Sequence, residues 1–148
     1  MREIRKEYLI EAPKEVLWNT LTVYEILVHW LADEVRGRPK VGGEFSWSWK
    51  LGEEGVFVTK GIYESIQPGE SIQLRWLNHP AGDVFLRLEL KAFSDEVTKL
   101  IITNGGYPDS SYFDSFLEGA EAGWDDQVLR LKKFLKENPN PLELVSNK

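Results

Sequence analysis

The sequence contains no cysteine, so disulfide bridges and thiol chemistry are excluded. It has only two histidines, His29 and His79. No His or carboxylate cluster has the spacing of a metal site, and no Ser/His/Asp set, phosphate loop or dinucleotide motif is present. No catalytic residue, metal or cofactor is assigned. Basic residues are in the minority, with 18 Lys and Arg against 24 Asp and Glu and a net charge of −6. A nucleic-acid binder clusters its basic side chains, and no such cluster exists here. The same balance argues against an anionic membrane surface. No apolar run approaches the roughly 20 residues of a membrane span. The opening stretch, MREIRKEYLIEAP, is charged and alternating, unlike a secretory leader. A cytoplasmic location is therefore expected. Internal repeats and low-complexity segments are also missing.

What is present is apolar and aromatic. Of 148 residues, 42% are hydrophobic, and six are Trp. A chain of this size buries about 70% of its extended surface as one domain. We expect a single domain over 1–137 and a C-terminal tail over 138–148, with Leu142, Leu144 and Val145 able to dock on the surface or on a partner.

The stretch from Asp109 to Glu137 organises the rest. Phe113, Phe116, Leu117, Ala120, Trp124, Val128, Leu131 and Leu135 recur at spacings of three and four, one face of a long helix. Asp109, Ser110 and Ser111 offer capping oxygens. Acidic residues fill its first half and Arg130, Lys132, Lys133 and Lys136 its last turns, matching the helix dipole. Pro139 and Pro141 stop it. Before it come a strand over 3–11, short helices over 15–21 and 24–31, a loop over 34–43 with room for a short strand at 34–38, and five strand-like runs. Lys6 breaks the alternation of the first strand, which suits an edge position or a wet end. The runs are 43–50, 56–66, 71–77, 84–93 and 97–104, each with one apolar face and divided by Gly, Pro, Asn or Ser-Asp turns. Gly105, Gly106 and Pro108 are expected to lead into the long helix. Short connections make this meander antiparallel, and a sheet apolar on one face needs a cover on that face only.

Several strings sit in this order: IEAPKEVLWNTLT (10–22), VGGEF (41–45), GIYESIQPGE (61–70), LRW (74–76), TKLIITNGGYP (98–108), and Gly123-Trp124 followed by spaced leucines to Leu135. Together they resemble the START/birch-pollen-allergen (SRPBCC) helix-grip superfamily, and within it the branch of activators of the heat-shock-protein ATPase. The chain departs from that branch at Val23-Tyr24-Glu25, where an acidic-Pro turn is usual. The resemblance implies an α+β helix-grip fold: a curved antiparallel sheet of six to seven strands around a long C-terminal helix, with two short helices after the first strand. It also implies a cavity between sheet and helix.

A straight helix cannot touch a curved sheet along its whole length, so a gap near one end is expected. The residues proposed to line it are Trp47, Trp49, Tyr63, Trp76, Leu88, Leu100, Ile102 and Asn104 from the sheet, with Phe116, Ala120, Gly123 and Trp124 from the helix. Trp and Tyr would supply walls and Asn104 a polar anchor. Gly119 and Gly123 each cost a helix about 1 kcal/mol relative to Ala. Their recurrence suggests close approach by the sheet or a ligand, tight packing being the plainer reading. The leading function is the binding of a small hydrophobic molecule. Two alternatives are a co-chaperone-like module with a chaperone or other protein as partner, and a cyclase- or dehydratase-like enzyme using the same cavity.

Overall fold

Phe45, Trp47 and Trp49 alternate with serines, and the segment that carries them is a strand with its aromatic face turned inward. In the computed structural model, which describes residues 1–145, it is one of seven strands. The chain runs β1 (Arg2–Ile10), α1 (Lys14–Thr22), α2 (Tyr24–Trp30), β2 (Glu34–Arg36), β3 (Glu44–Lys50), β4 (Val56–Gln67), β5 (Ser71–Trp76), β6 (Phe85–Ala92), β7 (Thr98–Tyr107) and α3 (Asp114–Glu137). All pairings are antiparallel, in the order β1-β7-β6-β5-β4-β3-β2. β1 and β2 are the two edges, so the sheet is open. This is the expected α+β helix-grip architecture.

The core lies between the sheet and the C-terminal half of α3. The sheet contributes Ile72, Leu74, Leu86, Leu90, Leu100 and Ile102, all 2% exposed or less. They meet Val128, Leu131, Phe134 and Leu135 of the helix. Each such side chain contributes about 1.5–3 kcal/mol on leaving water. Leu17, Leu21, Ile26, Leu27 and Trp30 of α1 and α2 close the same core. Trp30 Nε1 donates to the Thr20 carbonyl at 3.0 Å, tying the two short helices together.

Two boundaries differ from the sequence reading. β7 does not end at Asn104 but continues to Tyr107. Its glycines permit this: a Cβ on Gly105 would stand 2.7 Å from the Phe85 ring, and Gly106 has φ +89° beside the Asp83 carbonyl. The register against β1 shifts there, between Arg2 and Ile4. α3 begins at Asp114, after a 3-10 turn over Ser111–Phe113 in which Ser110 Oγ accepts from the Tyr112 amide at 3.2 Å. The chain after α3 turns at Pro141–Leu144, buries Pro141 and packs Leu144 and Val145 on the core. The last three residues of the expected tail, 146–148, lie outside the described residues.

Candidate functional site

Helix α3 is seated in the protein at its two ends, and in between it leaves one face, at Gly119 and Gly123, uncovered. Near its start, Phe113, Phe116 and Leu117 pack on a small separate cluster of Ala81, Val84 and Tyr107. Its second half is seated in the main core. Between these supports, a Cβ added to Gly119 or Gly123 would meet nothing within 4 Å. The expected tight packing at these glycines is therefore corrected, because the helix passes over open space there. Trp124, mid-stripe in the sequence, is only half-buried.

The helix leans to one side. Lys6 Nζ lies 3.0 Å from Asp125 Oδ1, and the Tyr8 hydroxyl donates to the same oxygen at 2.7 Å. Arg2 reaches Asp114 at 2.5 Å and the Ser110 carbonyl at 2.6 Å. The lysine that spoiled the alternation of β1 thus faces acidic residues of α3. The hydrogen bond from Tyr8, with Lys6 beside it, holds the Asp125 carboxyl below its ordinary value. Exposed ion pairs add little to stability, but these fasten the helix to the β1 side of the sheet. The β3–β4 side is left open.

On that open side lies a groove of about 920 Å³. Trp47, Trp49, Phe57 and Thr59 of β3 and β4 line one wall, and Phe116, Gly119, Ala120, Gly123 and Trp124 of α3 the other. Trp76 and the loop Leu77–Pro80 close one end. At the far end, Trp49 Nε1 and Gln127 Nε2 both donate to the Leu31 carbonyl, at 3.1 and 2.5 Å. The aromatic wall is itself locked: Trp47 stands edge-on to both Trp49 and Trp76, with centroids 6.5 and 6.3 Å apart, and Trp49 stacks on Phe57 at 5.8 Å. Such pairs add roughly 0.5–1.5 kcal/mol beyond burial, so the wall is preformed.

Several polar groups of the groove are engaged within the protein, while the charged Lys50, Lys60, Asp126 and Arg130 also line it. Asn104 Nδ2 donates to the Phe85 carbonyl at 2.9 Å, and its Oδ1 accepts from the Tyr107 hydroxyl at 3.0 Å and from Trp124 Nε1 at 3.3 Å. The carboxamide joins the sheet to the helix and sets the position of Trp124. His79 lies beside it, its ring edge-on to Tyr107 at 5.9 Å and tilted against Phe116 at 6.1 Å. Its Nδ1 accepts from the Ala81 amide at 3.0 Å, which places the proton of the neutral ring on Nε2. Burial lowers its pKa.

A second space of about 40 Å³ lies deeper, between the sheet and α3. The twelve residues proposed from sequence divide between the two spaces rather than sharing one. Trp47, Trp49, Trp76, Asn104, Phe116, Ala120, Gly123 and Trp124 line the groove. Tyr63, Leu88, Leu100 and Ile102 line the inner void, and Trp47 and Trp124 border both. Tyr63 points inward because the register shift of β4 falls after it, between Tyr63 and Ser65. Sequence reading missed Phe57, Thr59, His79 and Gln127. Phe57 and Thr59 follow from the hairpin register, which sets them opposite Trp49 and Trp47. His79 carried no local signal, because it enters the groove through the fold of its loop.

A family model described as "Activator of Hsp90 ATPase homolog 1-like protein" matches residues 11–136. No curated protein matches the chain by sequence. Among solved structures, protein MLL2253 from Mesorhizobium loti superposes with a TM-score of 0.76 at 23% identity, over 92% of this chain and 98% of that one. The Aha1 dimer from Colwellia psychrerythraea gives 0.71 at 17% identity, over 89% and 94%. CalU16 from Micromonospora echinospora gives 0.69 at 21% identity, over 94% and 76%. At these identities the likeness is one of fold.

Proposed function

The chain belongs to the Activator of Hsp90 ATPase homolog 1-like family, and from that premise we propose that it binds a small hydrophobic molecule in the groove between α3 and the β3–β4 side of the sheet. The observation that supports this reading is the span of helix at Gly119 and Gly123, which faces open space instead of the sheet. Ligand pockets typically measure about 300–1,000 Å³ and are walled by apolar and aromatic side chains, and this groove fits both descriptions. The test is calorimetric titration with neutral aromatic compounds, together with native mass spectrometry for a ligand carried through purification. Saturable binding with a negative heat-capacity change is expected, since apolar area is buried. Absence of saturable binding across the set would overturn the reading.

A second reading, a co-chaperone-like interaction module, has one observation in its favour. The β3–β4 hairpin exposes Leu51, Val56, Phe57 and Val58, which are between 46% and 60% accessible. Exposed apolar side chains grouped on one hairpin are a feature of contact sites. Stimulation of an Hsp90 ATPase by this protein, abolished by Val58→Asp, would favour it.

A further inference from the structure

Trp30, Trp49 and Trp124 each set the indole N–H on an oxygen, at 3.0, 3.1 and 3.3 Å. Trp47 does not. It is 6% exposed, and its Nε1 has no hydrogen-bond partner among the described residues. A buried donor left unmet costs stability, so native structures rarely keep one without a use. Tyr63 is a second hydroxyl- or N–H-bearing aromatic at the same place. It is 2% exposed, and burial raises the pKa of its hydroxyl. Both residues line the inner void, whose other walls include Leu74, Leu86, Leu100 and Ile102. Trp47, with its unmet N–H, and Tyr63 thus border one small, largely apolar space.

The void is close to the groove. Leu31, Trp47, Trp124 and Gln127 border both spaces and form the partition between them. Trp124 is half-buried, and a single 3.3 Å hydrogen bond to Asn104 holds its indole nitrogen. Moving this side chain would alter the partition that the two spaces share.

We propose that the void is the deep end of the ligand site, and that the ligand is a neutral, largely apolar molecule bearing an acceptor oxygen that Trp47 Nε1 and the Tyr63 hydroxyl bind there. The proposal rests on the groove being the binding site. At about 40 Å³ the void exceeds the ~10–15 Å³ that one water occupies, so it admits a carbonyl group. A carboxylate is a poor occupant, because both donors are neutral and burying an ion among largely apolar walls is costly. A ketone or ether oxygen loses far less on leaving water.

The experiment uses probe pairs matched in shape and differing in one carbonyl: fluorenone with fluorene, and benzophenone with diphenylmethane. Dissociation constants are measured by calorimetry on the full chain, on Trp47→Phe and on Tyr63→Phe, with folding checked by thermal unfolding. The ketone of each pair should bind about tenfold more tightly, as one made rather than unmade hydrogen bond implies. Trp47→Phe keeps an aromatic ring and removes the N–H, so the ratio within each pair should collapse towards one. If Trp47→Phe does not fold, Tyr63→Phe should still shrink the ratio. Equal affinity for both members of each pair in the unaltered protein would overturn the proposal and leave the groove reading intact. A ketone preference that survives both substitutions would also overturn it. Binding of no probe would overturn both readings.

Discussion

Gly123→Leu separates an open groove from a packed core in one variant. The position is helical, exposed and mid-span, and a Cβ there meets nothing within 4 Å. In a helix interior Gly is about 0.8–1 kcal/mol worse than Ala, and Leu is close to Ala. With no clash to oppose that gain, the variant should be more stable by about 0.5–1 kcal/mol. For a chain of this length that is a rise of roughly 2–3 °C in Tm. Tight packing would give the opposite sign, an overpacking loss of about 1–3 kcal/mol. The added isobutyl group projects into the groove beside Trp124, where it excludes ligand. Affinity for a probe such as fluorenone should fall at least about tenfold, the equivalent of 1.4 kcal/mol. Urea unfolding measures the first quantity and calorimetry the second. Ala122→Leu, on a residue outside the groove lining, is the control and should leave binding alone. A loss of more than about 1 kcal/mol on Gly123→Leu would refute the open-space argument. Unchanged stability with unchanged affinity would refute the location of the site.

Trp124→Ala should cost about 2 kcal/mol in urea unfolding, below the roughly 3–5 of fully buried aromatics, because Trp124 is half-buried; a loss above about 4 kcal/mol would mean that it is core. Asn104→Ala removes the acceptor for Tyr107 and Trp124, and should cost about 1–3 kcal/mol while shifting Trp emission; a neutral result would show that water replaces the amide. Asp125 is held below its ordinary value of 3.8 by Tyr8 and Lys6. A depressed carboxyl adds stability above its unfolded pKa and loses it as pH falls through the folded value, so Asp125→Asn should narrow the stability gap between about pH 6 and pH 3. An acid unfolding curve identical to that of the parent would remove the clamp from the argument.

The strands were readable because a pleated, half-buried ribbon imposes a period of two, and Phe45, Trp47 and Trp49 obey it. The long helix was readable for the equivalent reason at Val128, Leu131 and Leu135. Lys6 looked like a flaw in β1 because its partners, Glu121 and Asp125, arrive from the far end of the chain. Gly119 and Gly123 were ambiguous for a related reason. A missing side chain says that something differs at that position, but whether a strand or open space stands opposite depends on where both helix ends are seated. Gly105 and Gly106 showed the converse, reading as a break while in fact admitting Phe85 and Asp83 to a continuing strand. The division of the site into two spaces depends on Trp47 and Trp124 as a partition, and no periodicity encodes that.

A helix seated at its ends with one mid-span face uncovered distributes mutational risk unevenly. Changes at Val128, Leu131 or Leu135 strike the core and are removed by selection for folding. Changes at Gly119, Ala120 or Gly123 reshape one wall of the groove and leave both seats of the helix untouched. A lineage carrying this chain can therefore drift in what it recognises while its fold stays fixed, one substitution at a time and without a compensating change elsewhere.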